Sequence, residues 1–81
     1  MNSPQERLAE LDRLILAAHA AGAKAALAQL YAEAGDLLEN VSTTDHAAFV
    51  RTQAYVYALE TGDRVMASRL LITLRAAGRD T

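Results

Sequence analysis

Cysteine and tryptophan are absent from this 81-residue chain, proline and phenylalanine occur once each, and glycine occurs four times. Without thiols there is no disulfide, no thiolate metal cage and no cysteine nucleophile. A large excess of one charge is missing too: eight basic side chains stand against ten acidic ones, for a net charge of −2. Nor is there a long hydrophobic run. The longest stretch without a formal charge, Leu14 to Ala23, is too short to span a bilayer and too far from the N-terminus for a secretory signal. The expectation is a soluble, cytoplasmic protein with no membrane partner.

What the chain has in quantity is alanine and leucine, 18 and 12 residues within an apolar fraction of 52%. Both are helix formers, where a sheet would want Val, Ile and Thr. The fold class expected is all-α. A length below the usual ~100–150 residues per domain leaves room for a single helical domain over 1–81. Chains near this size bury only about 60% of the surface they expose when unfolded. Stability must then come from well-packed helices, from self-association or from a partner.

Ser3-Pro4-Gln5-Glu6 is a helix start: Ser3 can cap, Pro4 suits the first helical position, and Glu6 can close a capping box. The first helix runs from Pro4 to about Ala21, with Leu8, Leu11, Leu14, Ile15 and Ala18 on one stripe and Leu16 and His19 off it. A second helix presents Ala26, Leu27, Leu30, Tyr31, Ala34, Leu37 and Leu38 on one face. That phase continues across Gly35-Asp36, which predicts one helix to about Glu39, a kink at Gly35 being the competing reading. Val41 to Thr44 is β-branched and hydroxyl-rich and reads as a loop with Ser42 or Thr44 as the next cap. The third helix, about Asp45 to Glu60, is apolar nearly all round, with Ala48, Phe49, Val56 and Leu59 on one side and Val50, Ala54, Tyr57 and Ala58 on another. Such a helix is expected to be sandwiched as the central element. Thr61-Gly62-Asp63 ends it, Asp63 caps the fourth helix, and that helix runs from Arg64 to about Ala77. Its main stripe is Met66, Ala67, Leu70, Leu71, Leu74 and Ala77; Val65, Ile72 and Ala76 form a second, surplus strip beside Arg64, Arg75 and Arg79.

Gly22 and Gly62 lie 40 residues apart, and the pattern around them repeats, with Leu14 and Ile15 matching Ala54 and Tyr55, Ala18 matching Ala58, and Leu30 and Tyr31 matching Leu70 and Leu71. Short turns at both glycines force antiparallel neighbours. The expected architecture is two stacked antiparallel α-hairpins, about 4–39 and about 45–77, with an up-down four-helix bundle as the alternative.

The second hairpin resembles a tetratricopeptide-type repeat. In Ala58-Leu59-Glu60-Thr61-Gly62-Asp63 the Gly-Asp turn follows the first helix, and Ala67, Leu71 and Leu74 fall where such repeats place a small residue and two packing residues. The first hairpin fits through Leu14, Gly22, Tyr31 and Ala34; in a rival frame, Leu27 to Tyr31 followed by Gly35-Asp36 looks like a repeat's first helix and turn. The spacing is 40 here and 34 in that family. The resemblance implies a scaffold that binds a peptide or helix of another protein and does no chemistry, as small chaperones of secretion components do.

His19 and His46 are the only imidazoles, and neither lies three or four residues from a second strong ligand, so no metal or cofactor site is expected. His19 as a phosphoryl acceptor lacks a basic neighbour in Ala20-Ala21-Gly22. No Ser-His pairing or acid pair marks a catalytic centre, and four short helices leave little room for a small-molecule pocket. No enzyme is expected. Arg64, Arg75 and Arg79, with Arg69 nearby, give the fourth helix a basic side; the acidic balance, the single lysine and the lack of aromatic residues among them argue against nucleic acid.

Charge also divides along the chain, with residues 1–40 at −3 and 41–81 at +1. The function expected is a protein–protein interaction module, an adaptor or small chaperone that binds a partner helix or peptide or a second copy of itself. Its candidate contact residues are Leu16, Tyr57, Val65, Ile72, Arg64, Arg75 and Arg79. Of Tyr55 and Tyr57, on opposite sides of the third helix, Tyr57 is expected to point into the groove between the hairpins. The alternative is a small DNA-associated regulator acting through the fourth helix.

Overall fold

In the computed structural model of the chain, residues 3–41 and 44–78 are described. They form four helices, α1 (Pro4–Ala21), α2 (Lys24–Val41), α3 (Thr44–Glu60) and α4 (Arg64–Ala76), with no strand among the described residues. The molecule is all-α. Ser42, a candidate cap, and Arg79 lie outside the described residues.

The helix starts and stops are local chemistry. Ser3 Oγ accepts from the Glu6 N–H at 3.1 Å, while the Glu6 carboxylate accepts from the Ser3 N–H at 2.9 Å, so two orphan donors of α1 are satisfied reciprocally. These bonds hold the Glu6 carboxyl below its ordinary range. Gly22 takes φ +66° and Gly62 takes φ +74°, a conformation that side chains with a Cβ rarely adopt. At both turns the same pair of bonds forms: Ala23 N–H to Ala18 O and Asp63 N–H to Ala58 O, each 2.9 Å, with Gly22 N–H to His19 O and Gly62 N–H to Leu59 O, each 3.1 Å. The two turns are thus equivalent in structure as in sequence. Asp63 caps α4 by accepting from the Met66 N–H at 3.0 Å.

α2 passes unbroken through Gly35. A glycine inside a helix costs about 1 kcal/mol against alanine, and its neighbour explains its presence. A Cβ on Gly35 would lie 2.6 Å from Cγ of Arg51. The bare backbone lets the Arg51 stem lie across α2 and deliver its guanidinium to Asp36 Oδ1 and Glu39 Oε1, each at 2.9 Å. Arg51 is buried, whereas both of its partners are exposed at the rim. The guanidinium draws the Glu39 carboxyl below its ordinary range, and Glu39, foremost, raises the Arg51 pKa.

α2 and α3 form the most extensive pairing, and they run antiparallel: Lys24 meets Glu60 at 2.8 Å, Asp36 meets Arg51, and Leu38 packs near Ala47. Small residues, Ala28, Gly35, Ala47, Ala54 and Ala58, line this contact and let the backbones approach. α1 packs on α2 and α4 on α3, on opposite sides of the central pair. Leu11 of α1 joins Ala34, Leu38, Ala47 and Val50 in one core; Ala67 and Leu70 of α4 join Ala28, Ala54 and Ala58 in a second. Arg7 ties α1 down with a two-pronged bond to Glu33, at 2.6 and 2.8 Å, and also pairs with Glu10. The bond depresses the Glu33 carboxyl and raises the Arg7 guanidinium pKa.

The extensive contacts therefore run α1 on α2, α2 on α3 and α3 on α4, without α1 closing against α4 as a bundle would require. The result is an open slab with extents of 33 × 29 × 18 Å. The expectation that α3 is enclosed is met on two sides only. α2 and α4 cover its Ala47–Ala54–Ala58 side, while Phe49, Val56 and Leu59 on the far side are exposed.

Candidate partner-binding surface

Alanine dominates the interior. Among the described residues, eight of the fourteen buried hydrophobic ones are alanines, and only Leu11 and Leu27 are large side chains less than 2% exposed. Alanine brings little apolar area to a core, so the burial per residue is small. The larger side chains lie outside: Leu14, Leu16, Phe49, Val56, Leu59, Val65 and Ile72 are all exposed. Phe49, the chain's one phenylalanine, is 64% exposed. Single apolar residues on a surface are ordinary, so their distribution over the helices matters more than their number.

Five of these seven belong to α3 and α4. Phe49 and Val56 are seven residues apart, two helical turns, and Leu59 follows three later, which places all three along the outer side of α3. Val65 and Ile72 are likewise seven apart on α4, each 69% exposed. Between the helices runs an open groove of about 340 Å³, with Tyr55 and Leu59 from α3, Ala67 and Leu71 from α4, and Ser68 and Arg64 among its lining residues. α4 docks through Ala67 and Leu70 on the Ala54–Ala58 side of α3, which leaves the outer side of each helix, Phe49 and Val56 on α3 and Val65 and Ile72 on α4, without a neighbouring helix.

The charges on the two helices differ in sign. α4 carries Arg64, Arg69 and Arg75 and no acid along its length. On α3 the exposed charges are Asp45 and Glu60, one at each end, because Arg51 is buried against α2. Glu60 also accepts the Lys24 ammonium, and that contact raises the Lys24 pKa.

The residues singled out in the sequence do not form one cluster. Arg64, Val65, Ile72 and Arg75 share α4, all exposed. Leu16, 64% exposed, stands on α1 across the central pair from them. Tyr57 is half-buried: its ring stacks on Tyr31 with centroids 6.0 Å apart and planes 2° from parallel, and His19 meets both edgewise at 6.0–6.1 Å. His19 Nε2 lies 3.0 Å from the Tyr31 hydroxyl, whose pKa burial pushes up. This cluster links α1 to α2 and α3, and Tyr31 and Tyr57 also pack against the core of Ala28, Ala54 and Ala58 that α4 joins. Sequence patterning missed Phe49, Val56 and Leu59 as surface. Their signal was present in the absence of a polar face on α3, which shows that the helix has apolar residues to spare without showing which side lacks a neighbour.

Among the described residues no three His, Asp or Glu side chains converge as a metal site, and no helix is long and apolar enough to cross a membrane. Comparison of the chain with family models, with curated proteins and with solved structures returns no match.

Proposed function

We propose that the chain is a cytoplasmic protein–protein interaction module, an adaptor or small chaperone whose work is binding rather than chemistry, and that its contact surface is the outer face of α3 and α4. One observation carries this reading: an alanine-filled interior is combined with five large apolar side chains, Phe49, Val56, Leu59, Val65 and Ile72, held outward on two adjacent helices. Covering a large apolar side chain is worth about 1.5–3 kcal/mol when complete. Five partly exposed ones therefore offer an association energy that a chain with so thin a core does not spend on its own folding. The tetratricopeptide-like pattern around Gly62 supports the same reading, since such hairpins are binding scaffolds.

The test is capture from native cell extract at mild salt with the immobilised chain, run beside a Leu59→Glu/Ile72→Glu variant. The reading expects specific proteins, or the chain itself, on the unsubstituted molecule and their loss from the variant at unchanged helicity. Identical capture by both would refute the assignment of this face.

A further inference from the structure

Resting on that reading, we propose that the groove between α3 and α4 seats one α-helix of a protein partner, in the way that the first hairpin already seats α3.

The internal repeat carries the inference. The turns at Gly22 and Gly62 are closed by the same pair of backbone bonds, so residues 40 apart take equivalent places around them. On the first hairpin those places hold α3. His19 and Tyr31 flank the Tyr57 ring with centroids 6.0 Å away, Lys24 meets Glu60 at 2.8 Å, and Ala28 packs with Ala54 and Ala58. The residues 40 further on from His19, Lys24, Ala28 and Tyr31 are Leu59, Arg64, Ser68 and Leu71. All four line the open groove of about 340 Å³. Among the described residues no further helix covers it: Leu59, Arg64 and Ser68 are exposed and Leu71 is half-buried. The groove is the counterpart of a seat that holds a helix one hairpin earlier.

The occupied seat specifies the chemistry of the occupant. Leu59 and Leu71, in place of His19 and Tyr31, suit an aromatic or large aliphatic side chain at the position of Tyr57. Ser68 is small like Ala28 and admits a close backbone, so the occupant carries small residues at the places of Ala54 and Ala58. Arg64 keeps the charge of Lys24 and has no ion pair among the described residues, so it calls for an acid where α3 has Glu60. Arg51 has no counterpart in the occupant, because Gly35 and Asp36, which receive it on the first hairpin, are matched by Arg75 and Ala76 on the second.

A second copy of this chain fits worse. α1 is the counterpart of α3 in the repeat, but it has Ala17 and Ala20 where α3 has Tyr57 and Glu60, so it offers neither ring nor acid. α3 has both and is already held on α2. The occupant is accordingly a helix of a different protein.

The experiment follows a labelled helical peptide binding to the full chain by fluorescence anisotropy, up to about 1 mM. The peptide is residues 44–60 with Arg51→Ala, closed by a lactam between Thr52→Lys and Val56→Asp, both exposed positions of α3, and its helicity is checked by circular dichroism. Saturable binding is expected. It should be at least about tenfold weaker for Ser68→Trp, which fills the groove from an exposed position. For Arg64→Glu it should be about two- to fivefold weaker. Glu60→Lys in the peptide should weaken binding to the unsubstituted chain by a like factor and restore it on Arg64→Glu.

A helical peptide that does not bind overturns the proposal, as does equal binding by the unsubstituted chain and a folded Ser68→Trp. Exchanged charges that do not restore binding overturn it as well. Should Ser68→Trp unfold the protein, Leu59→Glu, at another exposed position in the groove, takes its place. Self-association of the chain that is lost in Ser68→Trp puts a second copy in the groove and overturns the partner helix. No peptide binding, with proteins still captured from extract and lost from the Leu59→Glu/Ile72→Glu variant, overturns the helix seat and leaves the binding role standing. No peptide binding and no capture ends both.

Discussion

Replacing Gly35 by alanine should destabilise the protein, although the same change inside an ordinary helix is favourable by about 1 kcal/mol. The added Cβ would sit 2.6 Å from Arg51 Cγ, 3.2 Å from Nε and 3.4 Å from Cδ. Cγ is the root of the side chain, so it cannot yield without swinging the guanidinium off Asp36 and Glu39. The two bonds end on carboxylates that are 76% and 55% exposed, which limits their worth to about 0.5–1 kcal/mol each. The guanidinium is on a side chain only 7% exposed, and leaving it there without partners costs about 1–3 kcal/mol. Against the helix-propensity gain, the net loss is about 1–4 kcal/mol. In a domain this small, that lowers the melting temperature by roughly 4–8 °C per kcal/mol. Urea denaturation followed at 222 nm gives the sign directly, and a double-mutant cycle gives the cause. In an Arg51→Ala background the obstruction is gone, and Gly35→Ala should become stabilising by about 1 kcal/mol, a coupling of about 2–5 kcal/mol. If Gly35→Ala stabilises both backgrounds equally, Arg51 does not explain the glycine.

Two further outcomes follow from the packing and the ion pairs. Leu11→Ala, which empties a site 1% exposed, should cost about 2–5 kcal/mol, while Leu16→Ala on the exposed side of the same helix should stay within about 0.5 kcal/mol, both read from denaturation midpoints. Glu6, Glu33 and Glu39 are held below the ordinary carboxylate value of 4.5 in the folded state. The unfolded chain therefore takes up protons first, and the stability these groups provide is complete above pH 4.5 and lost as pH falls through their depressed values. Thermal melts between neutral pH and about pH 3 should show the decline beginning near the ordinary value, and Glu33→Gln should remove part of its slope.

Much of this fold is legible in the sequence because its punctuation is local. Ser3-Pro4-Gln5-Glu6 and the glycines at 22 and 62 act on residues three to five positions away, and each does in the structure what its chemistry demands. Continuity through Gly35 was legible as an unbroken apolar phase. The reason for that glycine was not, because Arg51 reaches it across a hairpin from 16 positions further along, and hydropathy assigns arginine to the surface. The outer face of α3 was hidden by a different cause. A helix apolar on every side does not reveal which neighbours it will have, and the docking of α4 on Ala54 and Ala58, a tertiary choice, decides that Phe49 stays outside. The surplus strip of α4 was legible because Arg64 and Arg75 flank Val65 and Ile72 and mark that side as outward.

The claim on which the functional account stands is that the apolar side chains of α3 and α4 serve association and not the fold. Its most direct test is to measure association and stability together for Leu59→Ser/Ile72→Ser, with capture from native cell extract for the first and denaturation for the second. The account predicts that association is abolished at a stability cost under about 1 kcal/mol per site, since both residues are more than half exposed before any partner binds. A loss of several kcal/mol with capture unchanged would show that these side chains are needed for folding and would contradict it.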